Sequence, residues 1–291
     1  MVAGISMIRW TEFCLDSLAS GEGTRFGLVL HTEGLVSDKV AFELKEFGRE
    51  VSPFFRPMLT TITPICPMYQ VDPLADPLRV ELPEIARTQR VEAEFAERIN
   101  SLAEYFDVGY HGHFFKADDG VYRPTFELGA IRQQFEQERE YLSDIGLAPE
   151  TYAGGWWYIN SQIHSLMAEH GLTVDTTIND LRLDSFSRRQ PFPESPLGQP
   201  FWVSKSVLEI PSLRSFFNLF FGVAIERRRS TNYVIISMHD YDLVAHALRR
   251  PVRRLVAKLL RVDRLASISE IAHRAASGHG GRDAIPAIAA L

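Results

Sequence analysis

Short, nearly continuous apolar runs recur along the chain and alternate with longer segments of helical periodicity. The first run is RFGLVLH at residues 25–31, and a late one is YVIISMH at residues 233–239. Such runs are typical of strands that are buried on both faces, as in parallel sheets. The pattern predicts seven strands, at residues 25–31, 58–63, 108–111, 151–157, 172–178, 207–210 and 233–239.

Helix-length segments separate these strands. The clearest spans residues 84–106, where apolar side chains recur at spacings of three and four and so share one face. Another helix is predicted between a cap at Thr125 and a stop at Gly146, and a capping box at Ser267 and Glu270 opens the last helix. The remaining predicted helices span residues 10–20, 38–50, 161–170, 214–226 and 243–261, while residues 117–124 and 182–199 are predicted loops.

This alternation predicts an α/β fold, a distorted (β/α) barrel of about seven parallel strands in a single domain. The domain is expected to cover residues 1–277, and the Gly/Ala-rich residues 278–291 are expected to form a flexible C-terminal tail. In folds of this class, the ligand site lies beyond the carboxyl ends of the strands.

Polar side chains gather at three of the predicted strand ends. They are His31 and Glu33 after the first strand, His111 and His113 after the third, and His239 and Asp240 after the last. In an extended chain, two imidazoles separated by one glycine point to the same side and can hold a divalent metal. The alternative is that one histidine of the pair is a hydrogen-bonded core residue and the other lies in a loop.

Composition and charge narrow the class of protein. The net charge of −6, with acids and bases mixed along most of the chain, gives no electrostatic footprint for nucleic acid. Basic clusters at residues 227–229 and 249–261 are interpreted as solvated helix surfaces, the alternative being contact with nucleic acid or a membrane surface. Cys14 and Cys66 form neither a disulfide framework nor a zinc pattern. We expect a cytoplasmic protein without a secretory signal or membrane span, and its oligomeric state stays open.

From Phe26 to Ala272 the chain resembles the polysaccharide deacetylase (NodB-homology) family in the order of its motifs. The matching segments are LVLHTEG, DVGYHGHFF, GLAPETYAGGWWYIN, VLEIPS and VIISMHDYDL, of which GYHGH and SMHDYD are the most specific. The resemblance implies a distorted barrel that binds a divalent metal, usually zinc, and hydrolyses N-acetyl or O-acetyl groups on sugars.

The chain also departs from the family pattern. The acid that acts as base in the family falls at Thr32, and the acidic metal ligand falls at Glu33. The second histidine of the family falls at Phe115, so His113 is the substitute nearby. The arginine that orients the base has no counterpart in the AGGWW stretch. The resemblance therefore implies a metal site but leaves the usual base missing.

The resulting hypothesis assigns a role to each polar strand end. Glu33, His111 and His113 would hold the metal and leave one position open for water. His239 would protonate the leaving amine, with Asp240 or Asp242 holding its ring. The substrate, an acylated carbohydrate or small amide, would contact Trp156, Trp157 and His31, and the base would be His31, Asp118 or Asp119.

Each assignment has a structural alternative. His239 could be a core histidine, Glu33 could cap a helix N-terminus, and one of the two tryptophans could belong to the core. His164 and His170 are interpreted as structural, and Asp175 as a partner of the site or a hydrogen-bonded buried acid. Two functions follow: a metal-dependent acyl hydrolase, or a catalytically impaired relative that binds carbohydrate or a partner without metal.

Overall fold

The fold is built from strands that alternate with helices along the chain. The computed structural model describes residues 25–70, 89–119, 121–178, 200–212, 214–215, 233–244, 253, 257, 260 and 265–278. Within these residues, the strands are β1 (Arg25–Thr32), β2 (Met58–Thr61), β3 (Asp107–Gly112), β4 (Phe115–Asp118), β5 (Val121–Pro124), β6 (Thr151–Gly154), β7 (Val174–Asp175), β8 (Phe201–Trp202), β9 (Leu208–Glu209), β10 (Arg214–Ser215) and β11 (Tyr233–His239). The helices are α1 (Asp38–Val51), α2 (Gln89–Leu102), α3 (Leu128–Asp144), α4 (Ser161–Glu169), α5 (Asp240–Val244) and α6 (Ile268–Gly278), with 3-10 turns at Pro67–Gln70 and Gly155–Trp157.

Nine of the described strands form one curled sheet in the order β10-β11-β1-β2-β3-β6-β7-β9-β8. All neighbouring pairs are parallel except β8 with β9 at one edge. The predicted α/β class with a barrel-like parallel sheet is therefore confirmed.

Eight of these strands are parallel, one more than predicted, because Arg214–Ser215 pairs with β11. A buried helix was predicted to begin at Arg214, and this is wrong for its first two residues. An apolar run of this length does not by itself distinguish a buried strand from a buried helix. The rest of that predicted helix, residues 216–226, lies outside the described residues.

The strand β1 lies between β11 and β2 and is buried from Phe26 to Thr32. Its side chains Leu28 and Leu30 pack with α1 and α2 on one face of the sheet. On the other face, Val29 packs with α6. A strand covered on both faces needs apolar side chains at nearly every position, which explains the continuous run in the sequence.

Strand register brings polar residues to one edge of the sheet. His31 is level with His239 across β1 and β11, and with Thr60 across β1 and β2. His111 is level with Ala153 across β3 and β6. The carboxyl ends of these parallel strands therefore meet at the same edge.

Two local predictions are wrong. Residues 117, 118 and 121–124, which were predicted as part of a polar loop, belong to the antiparallel hairpin of β4 and β5. Phe115 and Tyr122 of this hairpin pack with Ile62, Cys66 and Met68, so tertiary contacts rather than a local pattern stabilise it. The strand predicted at residues 151–157 ends at Gly154, where the chain turns through Gly155–Trp157.

Helix boundaries follow the predicted signals in part. The capping box is confirmed, since the backbone N–H of Ser267 donates to Glu270 and that of Glu270 donates to the Ser267 hydroxyl. Gly146 follows α3 with a positive φ of 83°, as expected for a helix stop. The N-cap of α3 is Glu127, however, and Thr125 accepts a hydrogen bond from the Glu127 backbone instead of capping the helix itself.

Among the described helices, none is long and apolar enough to cross a membrane. The helix predicted at residues 10–20, the loop at 182–199 and the tail from 279 onward lie outside the described residues, as does most of the helix at 243–261. The assignment of residues 1–277 to a single domain stays a prediction.

Candidate functional site

Polar side chains from three strand ends meet in one cluster at the carboxyl edge of the sheet. The ring of His31 on β1 stacks on the ring of His111 on β3, with centroids 4.8 Å apart. It lies 5.1 Å from the ring of His239 on β11. The ring of His113, just after β3, lies 4.7 Å from that of His111. The structure thus brings the four histidines of the predicted site together.

Three side-chain atoms face one another at the centre of this cluster. Glu33 Oε1 lies 3.1 Å from His113 Nε2 and 3.7 Å from His111 Nε2. The two Nε2 atoms are 3.1 Å apart. Both histidines are buried, while the Glu33 side chain is 17% exposed, so the cluster adjoins solvent on the carboxylate side.

This spacing fits a divalent metal ion. A tetrahedral zinc ion about 2.0–2.1 Å from each ligand atom places those atoms about 3.3 Å from one another. The observed distances of 3.1–3.7 Å bracket that value. Because the carboxylate and unprotonated imidazole nitrogens are all acceptors, a proton or a cation must lie between them to offset their repulsion. Glu33, His111 and His113 could therefore hold a metal, with a fourth position open.

The His111 ring is oriented by a backbone contact. Its Nδ1 lies 2.9 Å from the carbonyl oxygen of Ala153 on β6, which can only accept a hydrogen bond. The proton must then be on Nδ1, and Nε2 carries the lone pair that faces Glu33. Metal-ligating histidines are commonly oriented by such a contact of the other ring nitrogen.

The charge of Glu33 depends on the same two histidines. Burial by itself would raise the pKa of this carboxyl group, but the adjacent rings of His111 and His113 bring the pKa well below its usual value. Glu33 is therefore ionised at neutral pH, as an anionic ligand requires.

His31 is held by the neighbouring strand. Its Nδ1 lies 2.7 Å from the hydroxyl of Thr60, which in turn donates to the carbonyl of Leu30 at 3.4 Å. The Thr60 hydroxyl therefore holds the orientation of the His31 ring. Burial, with the charges of His111 and His239 adding to it, lowers the pKa of His31 well below 6.5.

His239 ends β11 and stacks on the ring of Tyr241 at 4.6 Å. Burial lowers the pKa of His239 to about 4, although the charge of Glu33 opposes this shift. The imidazole is therefore neutral at neutral pH. The carboxylate of Asp242 accepts a hydrogen bond from the His239 backbone N–H at 2.9 Å, which holds the main chain rather than the ring.

Asp240 supports the loop that carries the carboxylate of the cluster. Its Oδ2 accepts hydrogen bonds from the Thr32 hydroxyl at 2.8 Å, the Glu33 backbone N–H at 2.9 Å and the Gly34 backbone N–H at 2.7 Å. Within the described residues, its hydrogen bonds go to this loop and not to the ring of His239. Asp240 thus positions Glu33, and a direct catalytic part for it stays a prediction.

The two predicted substrate-binding tryptophans lie beside the cluster. Trp156 and Trp157 both adopt left-handed backbone conformations, with φ of 50° and 57°. The Trp156 ring packs edge-on against His113 at 4.5 Å, and the Trp157 ring packs edge-on against His31 at 5.8 Å. Non-glycine residues in this region are held there by their surroundings, and such residues cluster at functional sites.

The other predicted bases lie elsewhere. Asp118 and Asp119 are at the tip of the β4–β5 hairpin and are exposed. Asp118 lies 4.0 Å from Arg123 of the same hairpin. Of the three candidate bases, the structure brings only His31 into the cluster.

Sequence reasoning missed two buried residues behind the cluster. Gln134 and Glu138 lie one turn apart on the buried face of α3, where they alternate with Ile131, Phe135 and Leu142. Polar side chains at core positions of a helix need hydrogen-bond partners when they are buried. That interruption of the apolar face was a usable signal.

A second group of buried ligand-type side chains lies further along the sheet, formed by His164, Asp175 and Glu209. The His164 ring lies 2.8 Å from Asp175 Oδ2, and Asp175 Oδ1 accepts from the backbone and hydroxyl of Thr177 at 2.9 and 2.5 Å. Glu209 Oε1 accepts from the Ile178 backbone at 2.9 Å. These contacts fit the structural interpretation of His164 and the reading of Asp175 as a hydrogen-bonded buried acid.

Comparison with known proteins gives the fold. No protein-family model matches the chain, and no curated protein sequence matches it. A protein from Mycobacterium smegmatis described as a "putative polysaccharide deacetylase" superposes with a TM-score of 0.57 at 13% sequence identity, over 89% of this chain and 92% of that one. PuuE allantoinase superposes with a TM-score of 0.50 at 11% identity, over 88% and 91%.

These likenesses extend over nearly the whole of both chains. At such low identity they show the fold, an α/β architecture with a curled parallel sheet. The structural neighbours therefore include a protein described as a polysaccharide deacetylase, the family that the sequence motifs resemble.

Proposed function

We propose that this protein is a divergent member of the polysaccharide deacetylase family and a metal-dependent hydrolase that removes an N- or O-acyl group from a sugar or a related amide. The observation that carries the proposal is the convergence of Glu33 Oε1 with the Nε2 atoms of His111 and His113 within 3.1–3.7 Å. An anionic oxygen and two imidazole nitrogens form the ligand set of many catalytic zinc sites.

The ligand set defines what the metal would contribute. A divalent ion held by Glu33, His111 and His113, such as zinc, would lower the pKa of a bound water towards ~7 and polarise an acyl carbonyl. Ala153 fixes the ring of His111, and Asp240 fixes the loop of Glu33, so two of the three ligands are held before any ion binds. Such preorganisation reduces the cost of ordering the site.

His239 provides the proton transfer. Because its pKa is about 4, the free ring is neutral and can accept a proton from the attacking water. Once protonated, the same ring can donate that proton to the leaving amine or alcohol. His31, whose ring centroid lies 5.1 Å from that of His239, is the second group able to accept the proton in place of the acid lost at Thr32.

The substrate side of the cluster is aromatic. Trp156 and Trp157 flank His113 and His31 and are half-buried, so their surfaces are partly available to a ligand. Indole rings suit the apolar faces of pyranose sugars, which favours an acylated carbohydrate over a linear amide.

The test measures metal content and acyl release together. The purified protein is reconstituted with Zn²⁺, and acetate release is followed from N-acetylated and O-acetylated sugars before and after chelation. We expect His111→Ala to lose both zinc and acetate release, whereas His273→Ala, an exposed histidine on α6, keeps both. Acetate release that survives chelation, or a wild-type protein that takes up no zinc, would contradict the proposal.

A further inference from the structure

The loop that carries His113 is held from behind by helix α3. The side-chain Nε2 of Gln134 donates to the backbone carbonyl of His113 at 2.6 Å, and Oε1 of the same amide accepts from the backbone N–H of Phe115 at 2.9 Å. One amide group therefore binds the main chain on both sides of Phe114. This is the pairing that a neighbouring strand would provide, in a segment that has left β3 at Gly112.

A second buried side chain fixes the orientation of that amide. Gln134 Nε2 also lies 2.5 Å from Glu138 Oε1, one turn further along α3. The reversed amide would place its oxygen against two acceptors, the His113 carbonyl and Glu138, and its NH₂ against the Phe115 N–H. Glu138 is fully buried and Gln134 is nearly so, and no charged group of the opposite sign forms an ion pair with Glu138 among the described residues.

The loop at residues 113–115 carries side chains on two sides of the cluster. On one side of the hydrogen bonds from Gln134, His113 Nε2 lies 3.1 Å from both Glu33 Oε1 and His111 Nε2. On the other side, the Phe115 ring packs edge-on against the Trp156 ring, with centroids 5.4 Å apart. The imidazole of His113 follows that of His111 by only two residues. The hydrogen bonds from Gln134 to the main chain fix where the His113 imidazole lies.

We propose that Gln134, oriented by Glu138, is a positioning residue that sets His113 as a metal ligand. The effect of both side chains passes through the main chain at residues 113–115. The inference rests on the proposed metal site. Outer contacts of this kind change metal affinity by about 10- to 100-fold when they are removed.

The test compares the same substitution at two positions of α3. Gln134→Met removes the two hydrogen bonds to the main chain and the contact with Glu138, with little change in volume. Gln137→Met makes the identical change on the exposed face. Binding of Co²⁺ and Zn²⁺ to the full chain is measured by competition with a chelator, well below the unfolding temperature of each variant. The visible absorption of bound Co²⁺ reports its coordination.

We expect Gln134→Met to bind both ions at least about tenfold more weakly and to alter the Co²⁺ spectrum, while Gln137→Met matches the wild type. Glu138→Gln keeps an oxygen acceptor for the Gln134 amide and should retain most of the affinity, whereas Glu138→Leu should not. If Gln134→Met fails to fold, the Glu138 pair gives the same comparison.

Two results would overturn the inference, and they are distinguishable. Wild-type affinity and an unchanged spectrum in Gln134→Met and Glu138→Leu would remove the positioning role and leave the metal site standing. A wild-type protein that binds neither Co²⁺ nor Zn²⁺ would remove the metal site, and the positioning role with it.

Discussion

Two groups of histidine and carboxylate side chains contain the same kinds of atom at similar separations. The first group is Glu33, His111 and His113, and the second is His164, Asp175 and Glu209. They differ in what those atoms already bind. In the second group, Asp175 Oδ1 accepts from Thr177, Asp175 Oδ2 lies beside the His164 ring, and Glu209 Oε1 accepts from the backbone of Ile178. In the first, the oxygen of Glu33 and two imidazole nitrogens face one another.

The difference teaches that residue types alone do not make a metal site. A carboxylate oxygen that accepts a backbone N–H already helps to hold the main chain at that point. Through Thr177, the second group also reaches the backbone N–H of Gly154 at 2.6 Å, next to the turn that carries the tryptophans. We therefore regard the second group as a support of the strand ends and the first as the site of chemistry.

Removing one histidine from each group should separate these roles most strongly. We expect His113→Ala to lower zinc affinity by more than about 100-fold, since losing a ligand exceeds the loss of an outer contact. His164→Ala should keep zinc affinity but lose roughly 3 kcal/mol of stability, because it leaves Oδ2 of the buried Asp175 without the His164 ring. Chelator competition and denaturant unfolding of the metal-free proteins measure the two effects. Equal loss of zinc in both variants would erase the distinction.

Replacing one glutamate of each group, Glu33 or Glu209, by glutamine separates the two groups by metal affinity and by the pH dependence of stability. Glu33→Gln should weaken metal binding, since an ionised ligand becomes neutral, whereas Glu209→Gln should not. Burial, with the charge of Asp175 adding to it, raises the pKa of Glu209 well above its usual value.

The folded state then binds more protons than the unfolded state above the unfolded pKa of about 4.3, so wild-type stability falls as pH rises from there through the folded pKa. Glu209→Gln lacks this dependence, and its stability relative to the wild type should increase with pH between 4 and 8. Unfolding measured across that range checks the sign, and a parallel pH dependence in the two proteins would contradict it.

The smallest expected effect concerns the close contact between the backbone of Gly155 and the ring of His113 in the first group. A Cβ atom on Gly155 would overlap the ring of His113, so Gly155→Ala should cost about 1–3 kcal/mol and weaken metal binding. Gly129 lies in α3 with open space around its Cα, and Gly129→Ala should stabilise the protein by about 0.5–1 kcal/mol. Thermal unfolding of both variants tests the contrast, which fails if Gly155→Ala is tolerated as well as Gly129→Ala.

The local sequence pattern was sufficient to predict the strands that are buried on both faces, because such burial requires apolar residues at nearly every position. The strand β1 and the strand β11 were predicted within a residue of their observed ends. The hairpin of β4 and β5 was missed because its stability comes from Phe115 and Tyr122 packing on a distant segment. The two-residue strand β10 was missed because apolar runs of that kind fit helix and strand equally well.

The sequence by itself determined the alternation of strands and helices, the parallel sheet, and the three strand ends that carry histidines. These follow from local periodicity, which the chain expresses wherever it is buried. Only the tertiary structure decided that Glu33 meets His111 and His113, that Asp240 holds the Glu33 loop rather than a ring, and that Gln134 holds the His113 loop. Those contacts join residues up to 208 positions apart, and their geometry depends on strand register and on packing across the sheet, which no local pattern encodes.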